Sequence, residues 1–318
     1  MADWLIERGI GEDRALLVER GRVLAAKVRW PGEIEAGTRL QATLTQRTSG
    51  SPRGLATTAD GHAIFVDRLP RVASEGARIE VTVTRAATAE RGRFKRAQGR
   101  WSDGSDESIE PGAFDVAAPV RRFPAGLWED VWSAARDGEV AFPGGSLLFA
   151  VTPGMTVIDV DGDLSPRELA VASVPPIALA LRQMDLGGSI GIDFPTLAVK
   201  AERKAVDAAL ERELSDWPHE RTAMNGFGFV QLVARSTGPS LLNRLTHHRA
   251  AAAARFLLRQ AEAVEGAGAI LLAAHPTVIR ALAPEWVAEL ARRTGREIRL
   301  AGDDALALDG GHAQIVPR

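Results

Sequence analysis

Residues 139–160 constrain the fold more than any other part of the chain. This segment, EVAFPGGSLLFAVTPGMTVIDV, contains three short apolar runs that are separated by Pro-Gly-Gly and by Pro-Gly. Short apolar runs bounded by such turn residues are typical of β-strands. The third run, TVIDV, is apolar except for Asp159, and a helical stretch follows it from about residue 166. We therefore predict three consecutive strands that lead into an α/β unit.

The next 75 residues continue the same unit. The helical stretch is interrupted at Pro175-Pro176, and the run SIGIDF that follows it indicates another buried strand with Asp193 near its end. An amphipathic helix over 198–214 and a strand near 227–235 come next. Because apolar spacing changes from helical to strand-like in each segment, the sequence predicts alternating helices and strands around one sheet.

Asp159 and Asp193 are the main candidates for catalytic or metal-binding residues. A carboxylate within an otherwise apolar strand is costly unless it is paired, hydrogen-bonded or bound to a metal. If the two strands are neighbours, the aspartates converge at one edge of the sheet, where they could bind Mg²⁺ together with a substrate phosphate. A metal there could activate a water molecule for attack on a phosphodiester. The alternative is that these aspartates cap the turns or helices that follow them, a role that also suits Asp161 and Asp163.

The first hundred residues predict β-structure. Residues 14–29 indicate two strands around a turn at Arg20-Gly21, and residues 38–98 show period-two alternation in several short pieces, which is typical of a small barrel. The last piece leads into a basic edge, which comprises Arg91, Arg93, Lys95, Arg96 and Arg100. Cations and aromatic rings on such an edge can follow a nucleic-acid strand. The alternative is a basic turn that only faces water.

Composition limits the remaining choices. The net charge of −2 gives no overall attraction to nucleic acid, so any such binding depends on the basic edge. The sequence has no cysteine, which excludes disulfides, a thiolate nucleophile and a zinc site built on cysteine. The charged N-terminal residues lack a secretory apolar core, and no run approaches the roughly 18 apolar residues of a membrane span. We therefore expect a cytoplasmic protein without membrane contact.

Two further segments flank the α/β unit. Residues 102–125 have the composition of a linker, with an acidic run at Asp103, Asp106, Glu107 and Glu110. A short helix over 126–136 places Trp128 and Trp132 on one face, where we expect them to pack in the core. The chain ends in a small α/β unit, for which we predict an alanine-rich helix over 246–264, a strand, a helix over 276–293 and two last strands.

Several of these motifs resemble one known family. The segment FPGGSLLFAVTPGMTVIDVDGD is similar to the catalytic signature of the ribonuclease E/G family, where a PSGG turn and a strand lead into a TVIDVN-type motif. IALALRQMDLGGSIGIDF resembles the family's IARQLRLRNLGG-IIIDF stretch, and GFGFVQLVARSTGPSLL resembles its FG-LLEM-R segment. The resemblance is strongest over residues 139–242. VTRAATAERGRFKRA and AIFVDRL also match, more weakly, segments of the family's oligonucleotide-binding barrel.

The resemblance implies an α+β fold with several subdomains: a small barrel of the oligonucleotide-binding type, a deoxyribonuclease I-like α/β catalytic core and a small C-terminal α/β domain. The implied division is residues 1–33 (an N-terminal β subdomain, a ribonuclease H-like remnant), 34–100 (the barrel), 101–138 (linker and short helix), 139–245 (the catalytic domain) and 246–318 (the C-terminal domain).

The implied activity is endonucleolytic cleavage of single-stranded RNA by in-line attack of a metal-activated water, which leaves a 5′-phosphate and a 3′-hydroxyl. Asp159 and Asp193 would ligate Mg²⁺, with Mn²⁺ as the alternative, and Asp161 falls where the family has an asparagine that supports the metal's water network. The RNA-binding residues implied by the resemblance are Phe65, Arg91, Lys95 and Arg182.

The chain also departs from the family. Only about 40 residues stand where the family carries its 5′-end sensor, so we expect recognition of a 5′-monophosphate to be lost. Without cysteines the family's zinc link between subunits is absent, so a homodimer would use another surface. Met184 and Gln231 replace a family arginine and a family glutamate. These changes leave two alternatives: a catalytically silent RNA-binding or regulatory relative, and a metal-dependent phosphoesterase for small molecules, which would leave the basic edge unexplained.

Overall fold

A computed structural model describes residues 2–102, 104 and 112–318. Over these residues the architecture is mixed α/β, with a closed five-stranded barrel and several sheets. Asp106, Glu107 and Glu110 of the predicted acidic run, together with Asp103, lie outside the described residues.

The described strands, in chain order, are β1 (Asp3–Arg8), β2 (Asp13–Glu19), β3 (Arg22–Arg29), β4 (Arg39–Arg47), β5 (Gly54–Thr58), β6 (Ala63–Asp67), β7 (Arg78–Arg85), β8 (Thr88–Glu90), β9 (Arg93–Lys95), β10 (Ala97–Ser102), β11 (Ala118–Val120), β12 (Glu139–Phe142), β13 (Gly145–Val151), β14 (Thr156–Gly162), β15 (Gly188–Asp193), β16 (His219–Arg221), β17 (Phe229–Ala234), β18 (Ala269–Ala274), β19 (Ile298–Gly302) and β20 (His312–Val316). The described helices are α1 (Ala113–Val116), α2 (Leu127–Asp137), α3 (Pro166–Ala172), α4 (Val174–Gln183), α5 (Lys200–Glu213), α6 (Leu241–His247), α7 (Arg249–Ala263), α8 (Pro276–Ala281) and α9 (Pro284–Thr294).

The N-terminal sheet has the strand order β11-β1-β2-β3. The predicted hairpin over 14–29 is confirmed as β2 and β3, and its turn residues Arg20 and Gly21 have φ values of 51° and 76°. Two positive φ values give the turn the twist that neighbouring antiparallel strands require. β11 pairs in parallel with β1, so the predicted linker over 102–125 contains a sheet strand and is not a simple linker in its described part.

The predicted barrel over 38–98 is confirmed as a closed barrel in the order β10-β6-β5-β4-β7. Its interior is filled by buried apolar side chains that alternate along the strands, including Leu44, Ile64 and Val81. The closing strand β10 extends to Ser102 and pairs in parallel with β6, beyond the end of the alternating pattern. β8 and β9 form a separate two-stranded hairpin that precedes β10, and this hairpin carries much of the basic edge.

The sheet of the predicted α/β unit has six strands in the order β12-β13-β14-β15-β17-β16. Only β14 and β15 are parallel among its described pairs. Ile158 and Val160 of β14 belong to the large core cluster, together with residues of α4 and α5 such as Leu181 and Leu210. Because side chains alternate along a strand, β14 turns the residues between them to the other face. We call that face, which the helices leave uncovered, the open face.

Close backbone contact explains two glycines of the segment FPGGSLLFAVTPGMTVIDVDGD. Gly145 of the Pro-Gly-Gly turn and Gly162 are opposite each other in β13 and β14. A Cβ atom at Gly145 would lie 2.5 Å from the carbonyl oxygen of Asp161, and one at Gly162 would lie 2.3 Å from that of Gly144. Both distances are shorter than carbon and oxygen atoms tolerate, so glycine is required at both positions.

Gly162→Ala is therefore expected to lower the free energy of unfolding by about 1–3 kcal/mol, the usual cost of forcing atoms into a packed site. Gly154→Ala is the matched control, because a Cβ at Gly154 would meet no atom within 4 Å. Urea unfolding followed by circular dichroism measures both. Equal stability of the two variants would contradict the close approach of β13 and β14.

Three of the predicted helices break at positions that the sequence pattern does not mark. The helix from residue 166 breaks at Ser173, and Pro175-Pro176 lie in the first turn of α4 instead of in the break. The helix predicted over 276–293 is likewise two helices, with Pro284 at the start of α9. Proline is accepted in a first turn because the N–H that it lacks has no helical partner there. The helix predicted over 246–264 also breaks, at His248, between α6 and α7.

The C-terminal unit consists of a sheet in the order β19-β18-β20 and of α7, α8 and α9. The expected packing role of Trp128 and Trp132 is confirmed: both are buried, and Trp132 stacks on Phe256 of α7 with ring centroids 5.2 Å apart. α7 thus connects the C-terminal unit to the core of the six-stranded sheet. In the part of the chain that the structure describes, no helix has the length and hydropathy that crossing a membrane requires.

Candidate functional site

Asp159 and Asp193 lie side by side. β14 and β15 are parallel neighbours, and their register places Asp159 directly opposite Asp193. Neighbouring strands are about 4.7–4.9 Å apart, so the two carboxyl groups are close enough to share one ion. The predicted convergence of the two aspartates is therefore confirmed, but it lies on the open face of the two central strands and not at an edge of the sheet. We call these two residues the acidic pair.

The acidic pair faces solvent. Asp159 and Asp193 are both exposed, whereas Ile158 and Ile192 beside them are fully buried under the helices. The expectation that the aspartates carry the cost of a buried charge is therefore wrong. A strand of mostly apolar residues suggested burial of both faces, but the helices cover only one face of this sheet.

The electrostatics of the acidic pair favour a cation. Among the described residues, no side chain donates a hydrogen bond to either carboxylate or forms a salt bridge with it. Two like charges directly opposite each other in a sheet destabilise it. A bound cation would offset this repulsion, which the described protein groups leave unbalanced.

The donor set fits a hydrated Mg²⁺ or Mn²⁺ ion. Mg²⁺ binds carboxylate oxygens, commonly only one or two of them, and retains water or substrate phosphate in its other positions. Within the described residues no group of three or more His, Cys, Asp or Glu side chains could hold a metal. The acidic pair could thus hold such an ion only with positions left open for water and substrate.

Asp161 lies on the same open face, two residues beyond Asp159. It is exposed, and its Oδ1 accepts a hydrogen bond of 2.9 Å from the backbone N–H of Gly162. This bond stays within β14, so it is not the cap of a following turn that the sequence suggests for Asp161. Among the described residues, no group donates a hydrogen bond to the second carboxylate oxygen of Asp161. This oxygen can therefore contribute to the site.

The two departures from the ribonuclease pattern have different surroundings. Gln231 of β17 lies on the open face opposite Gly191, and its Nε2 donates to the Oγ of Ser189 at 3.2 Å. Met184, in contrast, is buried in the core at the end of α4. The change at Gln231 therefore alters the surface around the acidic pair, whereas the change at Met184 alters the packing of the core.

The barrel and the hairpin of β8 and β9 present aromatic rings and cations at their surface. Phe65 of β6 is 47% exposed and Phe94 of β9 is 63% exposed. The Arg96 guanidinium carbon lies 5.7 Å from the centroid of the Phe65 ring. Arg91, at the turn between β8 and β9, is exposed and has no ion-pair partner among the described residues. Phe94 is missing from the set predicted by sequence, although its apolar side chain between two basic residues was a usable signal.

Glu90 neutralises part of the basic edge. Its carboxylate accepts a hydrogen bond of 2.5 Å from Arg93 and forms a salt bridge with Lys95. Partial burial acts to raise the pKa of Glu90, but the hydrogen bonds from Lys95 and Arg93 outweigh it and lower the pKa below its usual value. Lys95, which the resemblance implies to bind RNA, is therefore already paired with a carboxylate.

Arg182 lies apart from the other predicted site residues. Its Nη1 donates to the carbonyl oxygen of Ala178 at 2.7 Å, and its Nη2 donates to that of Glu213 at 3.1 Å and to the Asp216 carboxylate. These contacts join α4 to the end of α5 in the helical layer, on the face of the sheet opposite the acidic pair. The structure does not bring Arg182 to the site implied by the resemblance.

The arrangement separates two chemical capacities. The acidic pair can hold a divalent cation on the open face of the six-stranded sheet, whereas the hairpin of β8 and β9 and the barrel present an exposed cation at Arg91 and an exposed ring at Phe65. The hairpin of β8 and β9 also contacts the six-stranded sheet, since Arg93 donates to the Pro153 carbonyl oxygen at 3.4 Å in the turn before β14.

A comparison of the chain with protein-family models finds no match.

Proposed function

We propose that the chain is a metal-dependent endoribonuclease of the ribonuclease E/G type that cleaves single-stranded RNA. The observation that carries this proposal is the register of Asp159 opposite Asp193, with both carboxylates exposed and without a described cationic partner. Cleavage of a labelled single-stranded RNA with and without Mg²⁺ tests it.

The proposal includes an assignment of the subdomains. We assign residues 34–100 as an oligonucleotide-binding barrel, residues 139–245 as a deoxyribonuclease I-like catalytic domain, residues 246–318 as the small C-terminal domain and residues 1–33 as a ribonuclease H-like remnant. A closed barrel of five strands is consistent with the first assignment, since oligonucleotide-binding folds have five strands. A six-stranded sheet with one uncovered face supports the second, because substrate can approach that face.

In this mechanism Asp159 and Asp193 would hold Mg²⁺ or Mn²⁺. When bound there, the ion supplies positive charge at the phosphodiester and lowers the pKa of water. Asp161 holds a water molecule through its second carboxylate oxygen. Attack of water on phosphorus in line with the P–O3′ bond leaves a 5′-phosphate on one fragment and a 3′-hydroxyl on the other, and the departing oxygen takes up a proton.

The barrel and the hairpin of β8 and β9 together hold the RNA strand. Arg91 contacts phosphate, and Phe65 and Phe94 present faces on which bases can stack, as is usual for single-strand binding. Glu90 competes with phosphate for Arg93 and Lys95, so the basic edge binds RNA less tightly than its number of cations suggests. Because of this competition, removal of the Glu90 charge should strengthen RNA binding, and a substitution can test that direction.

Glu90→Gln is expected to tighten RNA binding and to steepen its salt dependence. Each phosphate neutralised on a single strand contributes about 0.7 to the slope of log K against log salt concentration. Release of two cations, Arg93 and Lys95, would thus steepen the slope by up to about 1.4, whereas Arg91→Ala would reduce it by about 0.7. Fluorescence anisotropy of a labelled single-stranded RNA over a salt series measures both slopes.

Glu265→Gln is the matched control for this experiment. Glu265 is exposed in the C-terminal unit, away from the barrel, and the substitution changes the net charge by the same amount. Its slope should equal that of the unchanged protein. Identical slopes for Glu90→Gln, Arg91→Ala and the control would remove the hairpin from the RNA-binding surface.

A second candidate function is that of a catalytically silent RNA-binding relative. The exposure of Asp159 and Asp193 favours it, because exposed carboxylates cost little and can persist without a catalytic role. A silent relative would show the salt dependence described above and no cleavage at any metal concentration.

A further inference from the structure

An exposed aromatic residue lies in the turn next to the end of β15, the strand that carries Asp193. Phe227, in the turn before β17, is 81% exposed, more than Phe65 on the barrel or Phe94 on the hairpin of β8 and β9. One exposed apolar side chain is ordinary on a protein surface and proves nothing alone. Its significance depends on how the turn is built and on what lies next to it.

The turn that carries Phe227 is held by a dense set of hydrogen bonds. Oδ1 of Asn225 accepts from the backbone N–H of Phe227 at 2.9 Å and from that of Phe229 at 3.1 Å. The Asn225 N–H donates to the Phe229 carbonyl oxygen at 3.1 Å, and the Gly228 N–H donates to that of Asn225 at 3.2 Å. A short turn with this many bonds holds the backbone of its exposed residue in one place.

Gly228 fits this turn tightly against β15. It has a φ of +93°, and a Cβ atom there would lie 2.3 Å from the carbonyl oxygen of Phe194. Both the left-handed backbone and the close contact require glycine. The backbone position of Phe227 is therefore fixed relative to the strand that carries Asp193.

The same contacts place the turn at the acidic pair. The Phe194 N–H, directly after Asp193, donates to the Gly228 carbonyl oxygen at 3.2 Å, and Thr196 Oγ1 donates to that of Phe227 at 3.2 Å. Phe229 is opposite Asp193 in the register of β15 and β17. Phe227 is thus only two residues from the direct neighbour of an acidic-pair residue.

We propose that Phe227 is a stacking platform for the base of a nucleotide next to the phosphodiester held at the acidic pair. This inference rests on the proposed function and adds a base subsite to it. A ring face stacks on any base without reading its hydrogen-bonding groups, so the subsite accepts all four bases. It requires an unpaired, unstacked base, which selects single strands over duplexes at the point of cleavage.

Phe227→Ala is expected to weaken RNA binding and to lower kcat/KM by roughly 5- to 100-fold, since one base–aromatic stack carries that much affinity. Phe227→Trp retains a stacking face and should restore most of the loss. Asn225→Ala keeps the ring but removes the acceptor that orders the turn, so it should show a smaller loss. Leu300→Ala is the control, because Leu300 is 45% exposed in β19 of the C-terminal unit, outside both the barrel and this turn.

A series of RNAs, each with one abasic nucleotide, identifies the base. At the nucleotide that stacks on Phe227, the abasic substitution should weaken binding to the unchanged protein but cause no further loss in Phe227→Ala, because both changes remove the same contact. Binding is measured by anisotropy in chelator, and cleavage is measured separately in Mg²⁺. The binding series decides the role of Phe227 even if the protein cleaves no RNA.

Three results would overturn the proposal. The first is unchanged RNA binding in Phe227→Ala. The second is an equal effect of that variant at every abasic position. The third is loss of a concentration-dependent dimer in sedimentation velocity without loss of RNA binding, which would assign the exposed ring to a protein contact.

Discussion

Asp159→Asn is expected to lower the rate of RNA cleavage by more than about 100-fold, because even residues that only support a metal ligand change activity by 10–100-fold when replaced. Asparagine has the same shape but lacks the charge that attracts a divalent cation. Asp159 is exposed and has no hydrogen bond from a described side chain, so the fold should be retained. Relief of the repulsion from Asp193 should change the free energy of unfolding by no more than about 1 kcal/mol.

The control and the metal dependence sharpen this prediction. Asp163→Asn removes a charge from the turn just after β14 and should cleave RNA at the unchanged rate. Mg²⁺ at about 100 times its Kd should stabilise the unchanged protein by about 2.7 kcal/mol and should stabilise Asp159→Asn far less. Full activity in Asp159→Asn, or equal loss in Asp163→Asn, would contradict the assignment of the acidic pair.

Ile158→Ala is expected to lower the free energy of unfolding by about 2–5 kcal/mol, the range for deletion of a large buried aliphatic side chain. Ile158 precedes Asp159, is 0% exposed and packs in the core under the helices. The loss combines the lost transfer of apolar atoms from water with the cavity that remains. This variant tests which face of β14 is buried.

Leu148→Ala is the matched control, since Leu148 is opposite Asp159 on the open face and is 41% exposed. Its replacement should cost less than about 1 kcal/mol, because it is only partly buried. A one-residue shift of register would exchange the two faces of the strand. A greater loss for Leu148→Ala than for Ile158→Ala would therefore mean that the aspartates face the helices.

Local patterns were sufficient to predict most of the strands and their neighbours. The three strands over 139–160 are bounded by turn glycines and prolines, and the alternating residues of 38–98 leave few arrangements other than a small barrel. β11 and β16 could not be predicted, since each has only three residues and depends on pairing with a distant part of the chain. The helix breaks at Ser173 and before Pro284 also depend on how the flanking helices pack.

The candidate site was predictable in its position but not in its exposure. The sequence predicted that Asp159 and Asp193 meet if their strands are neighbours, and the pairing of β14 with β15 supplies that condition. Their exposure depends on the helices covering only one face, which no local pattern records. The pairing of Glu90 with Lys95 and the place of Phe227 beside Asp193 arise from contacts between strands and turns that the sequence does not reveal on its own.

The most direct test of the account is a cleavage assay on a labelled, A/U-rich single-stranded RNA. The unchanged protein and the Asp159→Asn, Asp193→Asn double variant are compared with Mg²⁺, with Mn²⁺ and with chelator. We expect internal cuts that leave 5′-phosphate ends, that require the metal and that disappear in the double variant. Binding of the same RNA without any metal-dependent cut by the unchanged protein would contradict the account and would indicate a silent RNA-binding relative.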